Sequence, residues 1–232
     1  MATTALANSF KLEMLSGGHC FNATMSTLAG AGVSGQFTIT GLATTAGIAV
    51  GMAAGGTNVA AGAIVASVDS ASQVTVSKAH TGTVTTGTIS FTGDVFKALL
   101  IKVTPSGTYN NTLTNVGTPG TGAPSTSNVG TDEVSGTAYT TGGVTLVNIA
   151  PLLSTNTACT QFNVNPSWSV ATFSATSMVV YNSSTRLGAA ATPLSGRTVG
   201  TYDFGGTQTV TAGTFTVLQP VNAAGTALIQ VA

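Results

Sequence analysis

Charged residues are scarce in this sequence. Six Lys and Arg and six Asp and Glu occur among 232 residues, which is 5% of the chain and gives a formal net charge of zero. Soluble domains usually carry about 25% charged residues. Nucleic-acid binding needs clusters of Lys and Arg that displace counterions from phosphates. The composition therefore argues against a nucleic-acid partner and leaves Thr, Ser, Asn and Gly to cover the surface.

Patterns of metal-binding, exported and membrane proteins are also missing. Cys20 and Cys159 form no Cys-x-x-Cys pair, so we expect two buried, reduced thiols, with a disulfide between them as the alternative. The first residues lack the basic start and apolar core of a secretion signal. No run reaches the roughly 18 apolar residues that span a bilayer. The nearest, 46–66, predicts two short strands and a turn. We expect synthesis in a cytoplasm without export, and no membrane partner.

The abundant residues predict an all-β fold. Thr, with 43 copies, is β-branched and favours strands, and the 29 Gly supply tight turns. One short helix is expected at 9–16, where apolar residues have helical spacing, Asn8 or Ser9 can cap the start and Gly17 can end it. The predicted fold is an antiparallel β-sandwich or barrel-like domain with a short N-terminal helix.

A segment of different character interrupts this domain. Residues 22–93 contain only two charged side chains and have apolar residues alternating with polar ones between glycines, as at Phe37 and Ile39. The flanking stretches "SFKLEMLSGGHCF" (9–21) and "DVFKALLIK" (94–102) read as one continuous entry into a domain. We therefore predict a discontinuous main domain, 1–21 plus 94–232, and a small inserted β domain, 22–93.

The rest of the chain has strands spaced as in a β-sandwich or barrel. Residues 94–107 predict a buried strand, and the Gly/Pro/Ser/Thr stretch 115–130 an exposed loop. Thr131, followed by two acids, predicts a single helical turn. Further strands are expected at 8–12-residue spacing, in the segments "GVTLVNI" (143–149), "TQFNVN" (160–165), "WSVATFSATSMVVYNSS" (168–184), "TVGTYDFGGTQTVTAGTFTVLQ" (198–219) and "ALIQVA" (227–232).

The sequence offers no candidate catalytic, cofactor-binding or metal-binding residue. His19 is next to Cys20, but adjacent side chains point apart, so a nucleophile pair is not expected and His19 reads as the end of a helix. His80 reads as a turn residue without metal-ligand spacing. The six acids are scattered, and Asp132 and Glu133 are expected simply to favour a helix start.

Four other residues have a structural and a binding interpretation. Trp168 is expected in the core, with a sugar-stacking surface as the alternative. Asp203 is expected at a strand end beside a turn. Arg186 and Arg197 could bind a partner's acids or be solvated. None of these four residues indicates a particular enzymatic reaction.

Five pieces in order resemble a family of tailed-bacteriophage virion proteins. They cover residues 8–21 and 94–232 and read "SFKLEMLSGGH", "DVFKALLIK", "TDEVSGTAYTTGGVTL", "WSVATFSATSMVVYN" and "YDFGGTQTVTAGTFTV". The inserted segment resembles a small β module found in phage structural proteins. The resemblance implies a structural virion component and no catalytic residues. This chain departs from the pattern in the insertion and at 115–130 and 183–201, which we expect to be contact surfaces.

The resemblance leads to one main hypothesis and three alternatives. The main one is a capsid decoration, or cement, protein that binds the outer face of the shell formed by the major capsid protein. We expect it to bind as a homo-oligomer, a trimer at local threefold positions. A head or tail fibre component that binds the host surface is the alternative. A tail-tube protein usually needs a long hairpin, which the sequence does not reveal. A virion hydrolase would need paired acids or a triad.

Overall fold

The all-β prediction is confirmed by the computed structural model, which describes residues 3–15, 17–22, 25–185 and 193–231. In chain order the elements are β1 (Thr3–Leu6), α1 (Asn8–Leu15), β2 (Met25–Gly32), β3 (Thr38–Ile39), β4 (Ala53–Gly55), β5 (Ala63–Ser70), β6 (Gln73–Val76), β7 (Val84–Thr92), β8 (Phe96–Lys102), a 3-10 turn (Gly130–Asp132), β9 (Val144–Thr145), β10 (Leu152–Ser154), β11 (Thr157–Thr160), β12 (Ser167–Asn182), β13 (Arg197–Thr216) and β14 (Ile229–Val231). The predicted helix is present, one residue earlier than expected.

The chain divides into two compact units. The main unit consists of Met1–Ser16 and Val95–Ala232, and the inserted unit is Gly17–Asp94. The sequence placed the start of the insertion at residue 22 and its end at 93, so the compact unit also takes in the residues that follow α1.

The inserted unit is one antiparallel sheet with its own core. Its strands lie in the order β2-β7-β4-β5-β6-β3. The alternating residues predicted to face inward are buried in β6 and β7, where Val74 and Phe91 are 0% exposed. Phe37 differs from the prediction: it is 46% exposed and precedes β3, which is only two residues long, so only Ile39 of that pair reaches the core. The strands predicted within 46–66 are β4 and the start of β5.

Two hydrogen bonds between Cys20 and Asp94 bring together the ends of the inserted unit. The Cys20 N–H donates to Asp94 Oδ2 at 2.9 Å, and the Asp94 N–H donates to the Cys20 carbonyl at 2.8 Å. Both cysteines are buried and neither forms a disulfide, as predicted, so the alternative of a disulfide between them is wrong. A closed junction of this kind is what an insertion into a loop requires, because the host chain must enter and leave at nearly the same point.

The main unit contains a five-stranded sheet, β1-β13-β12-β8-β9, and a three-stranded sheet, β10-β11-β14, whose paired strands are all antiparallel. The predicted buried strand is β8, in which Ala98 to Ile101 are all 0% exposed. It packs with residues from several loops and strands, among them Leu113, Val116 and Val179. The sequence did not predict β1, and the segment 160–165 contributes only the last residue of β11.

The stretch 115–130 is more firmly held than the predicted exposed loop. Val116 and Val129 are buried in the core beside β8, and the Val129 N–H donates to the Val116 carbonyl at 2.8 Å. The helical turn that follows is the 3-10 turn Gly130–Asp132, and Val129 rather than Thr131 occupies its N-cap, without a side-chain cap. Two valines within a polar stretch thus anchor a loop whose composition alone reads as solvent-exposed.

Candidate interaction surface

The longest feature of the main unit is the antiparallel pair β12 and β13. The strands are 16 and 20 residues long. The pairing of β12 with β8 stops at Ala175, and the pairing of β13 with β1 stops at Asp203. Beyond those points β12 and β13 continue together to Ser167 and Thr216. We call this two-stranded part, residues 167–174 and 204–216, the ribbon.

One face of the ribbon is aromatic. Trp168 stacks on Tyr139 with ring centroids 6.0 Å apart and meets Phe215 at the same distance. Phe173 and Phe204 also contact Phe215, at 5.2 and 6.1 Å. Trp168 is 3% exposed, so the predicted core role is confirmed and the ring offers no stacking surface for a sugar. The aromatic contacts stiffen a ribbon that would be marginal as an isolated hairpin.

The opposite face of the ribbon is lined with hydroxyl groups. Ser167 and Thr216 form a cross-strand hydrogen bond of 3.1 Å, and Ser174 and Thr209 form one of 2.8 Å. Pairs of this type stabilise neighbouring strands by fractions of a kcal/mol each, roughly 0.2–1 kcal/mol. The ribbon therefore has one apolar and one hydroxyl face, and neither carries a charge.

The outer edge of the ribbon has no partner strand among the described residues. Among the described strands only β1 and β12 pair with β13, and β1 covers just Gly200–Asp203. From Phe204 to Thr216, which we call the free edge, the sequence has no charged residue and no proline. Proteins usually protect such edges with charges, proline, bulges or a covering segment, because open N–H and C=O groups recruit another strand. Here the free edge is interrupted by register shifts in the β12–β13 pairing and by positive φ at Gly205, Gly206 and Ala212, but it carries no charge or proline.

A cavity of about 600 Å³ adjoins the free edge. Its lining is mainly apolar and is formed by Met178, Tyr202, Phe204, Val217, Leu218, Gln219, Pro220, Gly225, Thr226, Ala227 and Leu228. Two polar side chains in this lining lack a hydrogen-bond partner, at the Tyr202 hydroxyl and at both amide atoms of Gln219. Tyr202 is 6% exposed, and burial raises the pKa of its hydroxyl. Every lining residue except Met178 lies between Tyr202 and Leu228. Sequence reasoning missed this site because no motif in that segment shows which of its side chains face one another.

Exposed apolar side chains surround the ribbon and the cavity. Leu218 is 77% exposed, Val221 71% and Val170 69%. Single exposed apolar residues are normal, but a group of them beside an open cavity and an unpaired strand edge is typical of an interaction surface. We therefore treat the ribbon, its free edge and the cavity together as the candidate interaction surface.

Asp132 lies in the first turn of the 3-10 helix, as the sequence suggested, but its carboxylate also binds residues outside that turn. Its carboxylate is buried, lies 3.0 Å from the Lys102 ammonium, and accepts hydrogen bonds from the Gly107 N–H at 2.7 Å and the Tyr109 hydroxyl at 2.8 Å. Burial alone would raise its pKa, but these donors and the Ser106 N–H outweigh burial and hold the pKa below its ordinary value. A carboxylate this well satisfied is a structural anchor for residues 102–109.

Glu133 is buried among different partners. Its Oε1 accepts from the Tyr139 hydroxyl at 2.8 Å and from the Gly142 N–H at 2.6 Å, and the Tyr181 hydroxyl donates to the Gly142 carbonyl at 2.7 Å. Burial raises the pKa of this carboxyl. The two hydrogen-bond donors and the charge of Lys97 lower the pKa, but they offset the effect of burial only in part. The two neighbouring acids thus point into separate networks.

The remaining residues singled out by the sequence are dispersed. His19 lies near the Phe21 ring, with centroids 6.4 Å apart, and does not end α1. His80 is buried, with its Nε2 2.9 Å from the Thr38 carbonyl. Arg197 lies 3.4 Å from the Glu13 carboxylate. Asp203 lies within β13 instead of at a strand end, and its Oδ1 accepts from the Gly205 N–H at 2.9 Å. Arg186 is outside the described residues.

Neither a metal cluster nor a membrane helix is found in the part of the chain that the structure describes. No group of three or more His, Cys, Asp or Glu side chains there could hold a metal ion. No described helix is long and apolar enough to cross a membrane. Comparison with protein-family models, curated proteins and solved structures finds no match to this chain.

Proposed function

We propose that this protein is a structural component of a tailed-bacteriophage virion, and specifically a decoration protein on the outer face of the capsid shell. The ordered resemblance of residues 8–21 and 94–232 to phage virion proteins suggests the class. The structural observation that carries the proposal is the free edge of β13, which has no charged residue, no proline and no partner among the described strands, and is flanked by exposed apolar side chains. A surface of this kind is typical of a protein that functions as a subunit of a larger assembly.

The proposed mechanism is additive binding to the assembled shell. Many copies bind neighbouring capsid subunits, and each contact favours the assembled lattice over free subunits through its own binding free energy. A homo-oligomer, as a trimer would be at a threefold position, presents several contacts at once. Modest individual contacts then resist the pressure of packaged DNA.

Heat-induced release of DNA tests this proposal. Heads that lack the protein are heated with and without purified wild-type chain, and DNA release is followed with a dye that cannot enter closed heads. We expect the wild-type chain to raise the release temperature and to saturate at a fixed number of copies per head. The separately expressed inserted unit, Gly17–Asp94, is the control for non-specific protein addition. An unchanged release temperature at full occupancy would contradict a cementing role.

A tail-tube subunit is the second candidate, and a specific observation favours it. The sequence revealed no long hairpin, yet β12 and β13 form an antiparallel pair of 16 and 20 residues. The argument against a tube protein on that ground is therefore wrong. The two strands are connected at the end where Asn182 pairs with Arg197. The opposite end, where Ser167 pairs with Thr216, is the part that extends beyond the five-stranded sheet. Recovery of the protein with purified tails instead of heads would favour this candidate.

A further inference from the structure

The cavity beside the free edge has unmet hydrogen-bonding capacity of a specific kind. Tyr202 offers a hydroxyl, and Gln219 offers one amide acceptor and one amide donor, all without a partner. Buried polar atoms of this type are rarely left unsatisfied in proteins. A residue in an extended segment carries the complementary pair, because its own N–H and C=O point to the same side, where the C=O can accept from Gln219 Nε2 and the N–H can donate to Oε1. The polar groups of the cavity are therefore suited to a segment of polypeptide.

The position and lining of the cavity specify that segment further. Phe204 is both a wall of the cavity and the first residue of the free edge, so the two features are continuous. In β-strand addition, backbone hydrogen bonds along an open edge supply affinity and a side-chain pocket supplies specificity. The remaining walls are mostly apolar, as at Met178, Leu218 and Leu228. The fitting ligand is an extended, uncharged segment with an apolar anchor side chain.

The chain itself contains a segment with these properties. β10 (Leu152–Ser154) is at the edge of the three-stranded sheet, and β11 is its only partner among the described strands. Its Leu153 is 72% exposed and its Leu152 40% exposed, which is unusual for two adjacent leucines on a strand. No charged residue occurs anywhere from Val134 to Thr185. β10 is thus a second unprotected, apolar edge on the same molecule.

We propose that these two edges meet between copies: β10 of a second copy of this chain adds to the free edge of β13, and its Leu153 enters the cavity. Each copy then contributes one edge and receives one, so a ring closes when the rotation between copies permits it. Because neither surface is charged, the contact contains no ion pair that salt would screen. This contact deepens the proposed function, on which its role in the virion rests, by naming the subunit interface of the oligomer.

Disulfide trapping with two separate variants tests the contact. The Leu153→Cys and Leu218→Cys variants are purified separately and then mixed. The mixture is oxidised mildly and examined by non-reducing electrophoresis. The native Cys20 and Cys159 are buried, so they contribute little background. Leu153 pairs with Ala158 and Leu152 with Cys159 in the register of β10 and β11, so the introduced thiol points to the face opposite Cys159. Leu12→Cys, on α1 and 67% exposed, replaces either variant as the control.

The proposal predicts a cross-linked band at twice the 22.8 kDa chain mass in the mixture, and none with either variant alone or with the control. A cross-link formed by Leu218→Cys alone would overturn it, because two free edges would then pair with each other. The proposal would also be overturned if no mixture forms a cross-link and the wild-type chain sediments as a monomer.

A charge substitution supplies a second readout. Leu153→Asp places a carboxylate in the apolar cavity, so we expect at least a tenfold weaker self-association by analytical ultracentrifugation, whereas Leu12→Asp leaves it unchanged. Equal self-association of both variants would contradict the proposed contact. A wild-type chain that remains monomeric but still protects heads from heat would overturn this interface while leaving the decoration function standing.

Discussion

Asp132 and Glu133 are neighbours in the chain, yet they stabilise two different parts of the main unit. The Asp132 carboxylate ties Lys102, Gly107 and Tyr109 together, while Glu133 holds Tyr139 and Gly142. Their sequence context suggested a helix start, because two acids after a threonine are common there. The actual partners are distant in sequence and meet only once β8 and the loops around it have packed. Sequence reasoning therefore found the residues but not their role.

Removal of the Asp132 carboxylate should destabilise the main unit substantially. Asp132→Ala leaves the Gly107 N–H and Tyr109 hydroxyl without their acceptor and Lys102 without its ion pair. We expect a loss of about 3 kcal/mol in the free energy of unfolding, measured by urea denaturation. Asp203→Ala, at an exposed position of β13, is the control and should change the midpoint little. Similar midpoints for the two variants would contradict the anchoring role.

Glu133 should make stability depend on pH in the direction opposite to an ordinary paired acid. Because burial raises its pKa above the ordinary value of 4.5, it contributes stability below about pH 4.5 that is lost as pH rises through the folded-state pKa. Glu133→Gln cannot ionise and removes this dependence. As pH rises from about 4.5 to neutral, the difference in unfolding free energy should move in favour of the variant. A difference that stays constant over this range would contradict the raised pKa.

At the scale of elements, the junction of β8 and β9 depends on a glycine. Gly143 has φ of +72°, and a Cβ there would overlap the Ala98 carbonyl and the Leu99 backbone. Gly143→Ala therefore requires β9 to move away from β8, and we expect a loss of more than about 3 kcal/mol in urea denaturation.

Gly225→Ala is a matched control for this effect. Gly225 has φ of +82°, but nothing lies within 4 Å of its Cβ position, so only the backbone strain of about 1 kcal/mol is expected. Equal destabilisation by the two substitutions would show that strain, and not the close approach of β9 to β8, governs Gly143.

Elements with a strong periodic pattern were predictable from sequence, whereas those defined by partners were not. β8 and the long strands β12 and β13 were expected from their apolar and alternating residues. β1 was missed because "TTAL" has no pattern of its own and forms a strand only by pairing with Gly200–Asp203. The candidate site was missed for the same reason, since an edge is free only relative to the strands that do or do not lie beside it.

At the scale of the whole molecule, the two units should fold independently. The inserted unit has its own buried core, and its ends are joined by the two hydrogen bonds between Cys20 and Asp94. We expect residues 17–94 alone, and a chain in which a Gly/Ser linker joins Leu15 to Val95, each to unfold cooperatively. Circular dichroism during thermal denaturation measures this. A non-cooperative transition for either fragment would show that the units depend on each other.

The central claim is that this chain is a capsid decoration protein, and its copy number tests that claim most directly. Quantitative mass spectrometry of purified particles measures the ratio of this chain to the major capsid protein. A decoration protein predicts about one copy per capsid subunit, or a fixed simple fraction of that, because its sites repeat with the lattice. A ratio of a few per cent or less would contradict the account and would assign the protein to the tail or to a fibre.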